Sequence, residues 1–122
     1  MKTVMVVDDS RIMRNIVRNT FEQINIPAQF LEAGDGQKAL QLLLSNNIDL
    51  VLLDWNMPNL SGIDFLKKVR SMERFKHVPI IMVTSEAAKL NIIEAVREGV
   101  TAYITKPFNE RVFREKISRI SF

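Results

Sequence analysis

Leu50-Val51-Leu52-Leu53-Asp54-Trp55-Asn56-Met57-Pro58 is the stretch that decides the fold. Four apolar residues in succession run into a single aspartate and then into a loop closed by proline. A strand with no polar alternation is covered on both faces, the condition of a central strand in a parallel sheet. Val4-Met5-Val6-Val7 and Ile80-Ile81-Met82-Val83 have the same character. Two further candidates, Gln29–Ala33 and Thr101–Thr105, are more polar, and polar strands suit sheet edges.

Between these runs the apolar residues recur with helical period. Ile12, Ile16, Val17 and Phe21 lie on one face of a first helix, and Ala39, Leu40, Leu43 and Leu44 on one face of a second. Ile63, Leu66 and Val69 mark a third, Ile92, Ile93 and Val96 a fourth, and Phe113, Ile117 and Ile120 a fifth. Ser61 with Asp64 makes the pattern of a capping box for the third. Strand alternating with helix predicts an α/β fold with a doubly wound parallel sheet and helices on both faces. A sheet order of 2-1-3-4-5 satisfies the central and edge assignments.

Composition narrows the function classes. The 122 residues (14.1 kDa) are one domain's worth of chain, and 47% hydrophobic with 25% charged residues excludes a disordered or collagen-like protein. No apolar run approaches the ~20 residues that span a bilayer. No leader peptide is visible, so a cytoplasmic location without membrane insertion is expected. The absence of cysteine excludes disulfides, zinc–thiolate sites and iron–sulfur clusters. Seventeen basic against 14 acidic residues leave a charge of +3, but the basic residues are spread along the chain, so nucleic acid is not an expected partner. The densest basic stretch, Arg111, Arg114, Lys116 and Arg119, is interspersed with Glu110 and Glu115 and reads as the solvated face of a helix.

In an open parallel sheet, ligands bind beyond the carboxyl ends of the strands. Asp8 and Asp9 follow the first strand, Asp54 ends the third, Thr84 ends the fourth and Lys106-Pro107 follows the fifth. Three aspartates at one rim repel each other in a partly desolvated site. A divalent cation and Lys106 are the available offsets. Carboxylates without histidine or cysteine favour a hard cation, and Mg²⁺ fits best. A carboxylate nucleophile, a hydroxyl donor at Thr84, a fixed positive charge and a metal are what phosphoryl transfer requires. Singly, each residue has a plainer reading. Asp9 or Ser10 could cap the first helix, Lys106 could be a surface lysine, and Tyr103 could be edge-strand packing.

Asp8-Asp9, Asp54 within Leu53–Pro58, Thr84 and Lys106-Pro107-Phe108 together resemble the full set of a response-regulator receiver domain, over essentially the whole chain. Asp54–Asn59, Thr84–Ala87, Asn91-Ile92-Ile93 and Tyr103 resemble, more narrowly, the chemotaxis regulators of that family. The resemblance implies a flavodoxin-like (βα)5 fold, for which 2-1-3-4-5 is an order that such regulators exemplify. It implies one receiver domain over residues 1–122 with no effector domain. Asp54 would take a phosphoryl group from the phosphohistidine of a chemotaxis-type histidine kinase. Asp8, Asp9, Asp54 and Asn56 would hold Mg²⁺, and Lys106 and Thr84 would contact the phosphoryl oxygens. Thr84 and Tyr103 would form the switch. Lys89, Tyr103, Lys106 and Phe108 would lie on the face of helix four, strand five and helix five that binds a target, the flagellar motor switch protein. Asn56 and Glu86 would tune dephosphorylation, with room for a separate phosphatase. The Lys106-Pro107 bond would be cis.

On this reading the chain is a stand-alone phosphoacceptor signalling protein, not an enzyme beyond self-phosphorylation and slow autodephosphorylation. A monomer is expected, since no large apolar stripe is left over. The nearest alternative is a phosphorelay intermediate that passes its phosphoryl group to a histidine phosphotransfer protein. A haloacid-dehalogenase-type phosphatase would need a second aspartate two residues after the nucleophile, where Asn56 stands and cannot transfer protons. A flavodoxin-like electron carrier would find its flavin phosphate repelled by Asp8 and Asp9. Val100-Thr101-Ala102 departs from the small-residue pattern common in the family at that point.

Overall fold

The computed structural model describes residues 1–55, 57–85 and 89–122, with side chains described for all of these except 89–91. Among the described residues, strands and helices alternate. They are β1 Lys2–Val7, α1 Arg11–Glu22, β2 Ala28–Ala33, α2 Gly36–Ser45, β3 Leu50–Asp54, α3 Gly62–Ser71, β4 Ile80–Ser85, α4 Lys89–Arg97, β5 Ala102–Lys106 and α5 Glu110–Ser118. A short 3-10 turn, Glu73–Phe75, joins α3 to β4. Every neighbouring strand pair is parallel and the order is β2-β1-β3-β4-β5. The three apolar strands are central and almost wholly buried, whereas β2 and β5 form the half-exposed edges. This is the flavodoxin-like arrangement the sequence predicts.

Strand side chains alternate between the two faces of the sheet, so the core is split into two layers. Met5, Val7, Val51, Leu53, Ile80 and Met82 point to one side, where Ala39 and Leu43 of α2, Phe65, Leu66 and Val69 of α3 and Ala95 of α4 cover them. Val4, Val6, Leu50, Leu52, Ile81 and Ile104 point to the other, under Val17 and Phe21 of α1 and Phe113 and Ile117 of α5. There Phe21 meets Phe30 and Phe113 edge-on, at ring-centroid distances of 5.7 and 6.3 Å.

Among the described residues, four helices start on a side-chain cap. Ser10, Asp35, Ser61 and Asn109 accept from the backbone N–H of Met13, Lys38, Asp64 and Val112. Each such cap contributes about 1 kcal/mol. Ser10 therefore takes the capping role at α1 and leaves Asp9 available for other work. The pairs Glu110–Arg114 and Glu115–Arg119 lie one turn apart along the solvated side of α5, as the charge pattern there suggests.

Three helices bury less than the apolar periodicity implies. On α1, Val17 and Phe21 are buried, but Ile12 is 74% and Ile16 46% exposed. Consecutive residues are 100° apart on a helix, so the Ile12–Ile16 row and the Val17–Phe21 row cannot both face the sheet, and the row carrying the phenylalanine does. On α4, among the described side chains, Ala95 is pressed to the core while Ile93 and Val96 are 52% and 59% exposed. Leu44 of α2 also faces outward. These apolar side chains on α1, α2 and α4 therefore face solvent rather than the sheet. No helix among the described residues is long and apolar enough to cross a membrane.

One close approach fixes how α3 meets the sheet. A Cβ built on Gly62 would lie 2.2 Å from the Asp54 carbonyl oxygen and 2.9 Å from the Trp55 Cα, and the Gly62 N–H donates to the Trp55 carbonyl at 2.8 Å. Both neighbours are backbone and cannot rotate away. Gly62→Ala is expected to lower unfolding free energy by about 1–3 kcal/mol, the usual range for overpacking. Urea denaturation of the two proteins measures it, and an unchanged midpoint would contradict the contact.

Candidate functional site

Strand register brings the rim together. Val7 pairs with Leu53, Asp54 with Val83, Thr84 with Thr105 and Ser85 with Lys106, so the residues that end β1, β3, β4 and β5 emerge at one edge of the sheet. Asp8 continues β1 by donating its N–H to the Ala33 carbonyl at 3.1 Å. The carboxylates of Asp8, Asp9 and Asp54 each offer an oxygen within 4.8 Å of the others. Asp8 is buried, Asp54 half-buried and Asp9 exposed, so the cluster opens to solvent on the Asp9 side.

Lys106 reaches into this cluster from the end of β5. Its Nζ lies 3.1 Å from Asp54 Oδ1 and 3.4 Å from Asp8 Oδ2. The second Asp8 oxygen accepts the Ser10 N–H at 2.9 Å, where the chain turns into α1. The Asp8 carbonyl accepts a 2.7 Å bond from Arg14 Nη1, and Arg14 Nε donates to Glu32 Oε1 at 3.0 Å. The sequence pattern did not single out Arg14 or Glu32. The signal available was a basic residue in the first turn of a helix without an acidic companion there.

One ammonium does not balance three carboxylates, and the result is legible at Asp54. Burial, and then the nearby Asp8 charge, push its pKa above the ordinary carboxylate value, while Lys106 pulls it back. A carboxylate held in that state is more basic than a free one and therefore a better oxygen nucleophile. The donor set, three carboxylates without a sulfur or imidazole ligand, matches a hard oxygen-seeking dication rather than a transition metal.

The other residues expected at the site divide into three groups. Thr84 is in place at the end of β4 and is only 3% exposed. Tyr103 is half-buried on β5, with the Lys116 ammonium 4.9 Å over its ring, and Phe108 lies past β5 with its ring 5.5 Å from Phe113. The Lys106–Pro107 peptide is cis. Asn56 and Glu86 lie outside the described residues, as does the side chain of Lys89 at the start of α4. Ser85 belongs to β4. His77, the single histidine of the chain, is exposed at the opposite end of the sheet, before β4.

In the loop after β3, Asn59 stands in the left-handed region at φ 67° and its amide donates to Asp35 Oδ2 at 2.9 Å. That bond ties the loop after β3 to the turn before α2. The Lys38 N–H and the Asn59 amide hold the exposed Asp35 carboxyl below its ordinary pKa.

Comparison with known proteins agrees with this geometry. Residues 4–118 match the family described as response regulator receiver domain. Chemotaxis protein CheY of Pseudomonas aeruginosa is 45% identical over 117 residues, covering 96% of this chain and 94% of that protein. Chemotaxis protein CheY1 of Helicobacter pylori is 46% identical over 115 residues, covering 93% of this chain and 92% of that one. Among solved structures, chemotaxis protein CheY4 of Vibrio cholerae superposes with a TM-score of 0.85 at 30% identity, covering 99% of both chains.

The Asp54 environment has a measurable consequence. A raised folded-state pKa means the native protein holds the Asp54 proton more tightly than the unfolded chain does. Stability on this account is fullest in acid and falls as pH climbs from 3.8 through the higher folded value. Asp54→Asn is therefore expected to raise Tm at pH 7, without added divalent cation. The gain should vanish below about pH 4. Calorimetry across pH checks it, and a lower Tm for the variant at pH 7 would reverse the assignment.

Proposed function

Because this chain belongs to the response regulator receiver domain family and is a CheY-like member of it, we propose that it works as a phosphorylation-controlled switch of bacterial chemotaxis, with Asp54 as the acceptor. In the proposed reaction an Asp54 carboxylate oxygen attacks the phosphorus of a kinase phosphohistidine. The P–N bond breaks, an acyl phosphate P–O bond forms, and the imidazole leaves with a proton from solvent. One observation carries this reading more than any other: the Lys106 ammonium stands between Asp54 and Asp8, with Asp9 in reach of both.

Each side chain has a physical task. Burial raises the basicity of Asp54. Lys106, already at 3.1 Å, neutralises charge that builds on the transferring oxygens. Thr84 offers a hydroxyl from the neighbouring strand. Asp8, Asp9 and Asp54, with the backbone carbonyl of Asn56, would hold Mg²⁺, which when bound supplies positive charge to the phosphoryl oxygens. Asn56 in place of a second aspartate leaves no general base there, so the acyl phosphate persists long enough to signal.

Phosphorylation adds nearly −2 of charge at the rim. The readout is the face formed by α4, β5 and α5, where Tyr103 and Phe108 lie. Contacts of the phosphoryl group to Lys106 and Thr84 that are better in one conformation than the other shift the balance between two states of that face. The partners are a chemotaxis-type histidine kinase and, on the output side, the flagellar motor switch protein, all in the cytoplasm.

Trp55 adjoins Asp54 and is largely buried, so it reports on the site. Mg²⁺ is expected to alter its fluorescence, and Mg²⁺ with a small acyl phosphate to alter it further. Asp54→Asn should lose the second change and form no acid-labile phosphate. Labelling that persists in that variant would place the acceptor elsewhere. Lys106→Ala should keep the fold but slow phosphoryl uptake by about 100-fold, as for loss of one charge-stabilising donor. An undiminished rate would remove Lys106 from the reaction. For the output, phosphorylated protein should bind a motor-switch segment at least about tenfold more tightly than unphosphorylated protein. Equal binding would defeat the switch.

A further inference from the structure

From the contacts of its guanidinium we infer that Arg14 is a positioning residue for the divalent-cation site, fixing the Asp8–Asp9 turn through the Asp8 backbone. The inference rests on the reading of that cluster as a cation site. The position of Arg14 violates helix electrostatics. Arg14 lies in the first turn of α1, where the N–H groups make a positive end and a cation is unfavourable. Neither an acidic residue in that turn nor solvent exposure relieves it, since the side chain is only 17% exposed. What offsets the penalty is specific: Nε bonds Glu32 Oε1 on β2 at 3.0 Å, and Nη1 bonds the Asp8 carbonyl at 2.7 Å. Arg18 braces the other Glu32 oxygen at 3.4 Å and stacks on Phe30 with its guanidinium carbon 5.1 Å from the ring centroid.

With that bond every polar group of Asp8 has a named partner. The N–H is on Ala33, the carbonyl on Arg14, one carboxylate oxygen on Ser10 and the other near Lys106. The chain leaves the sheet at this residue, so no strand neighbour is left to hold its carbonyl. A planar fork that grips β2 with one nitrogen and this carbonyl with another fixes the orientation of the peptide joining Asp8 to Asp9. That peptide sets the angle between the two carboxylates. Lysine, a single point donor, cannot make both bonds with the same geometry.

The sign of the effect separates positioning from mere charge. As a field source, Arg14 repels a cation bound nearby, so removing it would tighten Mg²⁺ binding. As a positioning residue, it makes the site, so removing it loosens binding. Mg²⁺ titration by calorimetry and by Trp55 fluorescence is the test, on the full chain without any phosphodonor. Arg14→Met is expected to weaken Mg²⁺ binding about tenfold, the scale of lost support around metal ligands. Arg14→Lys, which keeps the charge, is expected to weaken it nearly as much. Binding by Arg14→Met that is unchanged or tighter, or by Arg14→Lys equal to the parent protein, overturns the inference. If Arg14→Met does not fold, as circular dichroism would show, Arg14→Lys decides alone. Failure of the parent protein to bind Mg²⁺ would instead overturn the cation-site reading itself.

Discussion

Like charge gathered at one rim is the constraint on which the rest of this structure depends. Three carboxylates within 4.8 Å of one another are a standing repulsion, and the protein answers it with one lysine from the far end of the sequence. Lys106 and Asp8 are 98 residues apart in sequence, so their meeting requires β1, β3, β4 and β5 to be laid down in the right order and register. Fold and site are therefore one problem here. The apolar strands carry the favourable burial that offsets the strain at their ends, and the ends hold the chemistry that the strands alone would not produce.

That division of labour explains what could be read from the residues. The central strands were legible because a run such as Leu50–Leu53 has no polar alternation, and the edges because β2 and β5 are more polar. Asp8, Asp9, Asp54, Thr84 and Lys106 were legible because strand ends in a parallel sheet are where function concentrates, and the structure brings all five to one rim. The helix faces were harder. A helix with two apolar rows, Ile12–Ile16 and Val17–Phe21, does not announce which row faces inward, because the answer depends on what the sheet presents opposite. At α4 the small Ala95 packs inward while larger side chains stay outside, the reverse of what a hydrophobicity pattern suggests.

Arg14 and Glu32 were illegible for another reason. Their link spans a helix and an edge strand, and nothing in local spacing joins positions 18 residues apart. A hint lay in a rule broken, a cation at the positive end of a helix. Such local inconsistencies mark places where tertiary structure imposes its own demand. The two isoleucines exposed on the same helix have no comparable internal partner, and they stand on the element that follows Asp8 and Asp9 directly.

The tight seat of Gly62 behind Asp54 has a further consequence. The start of α3 backs β3 so closely that not even a methyl group fits between them. β3 consequently has a wall behind it and cannot recoil. Movement of the β3 end toward α3 is therefore blocked by backbone rather than by a side chain that could turn aside.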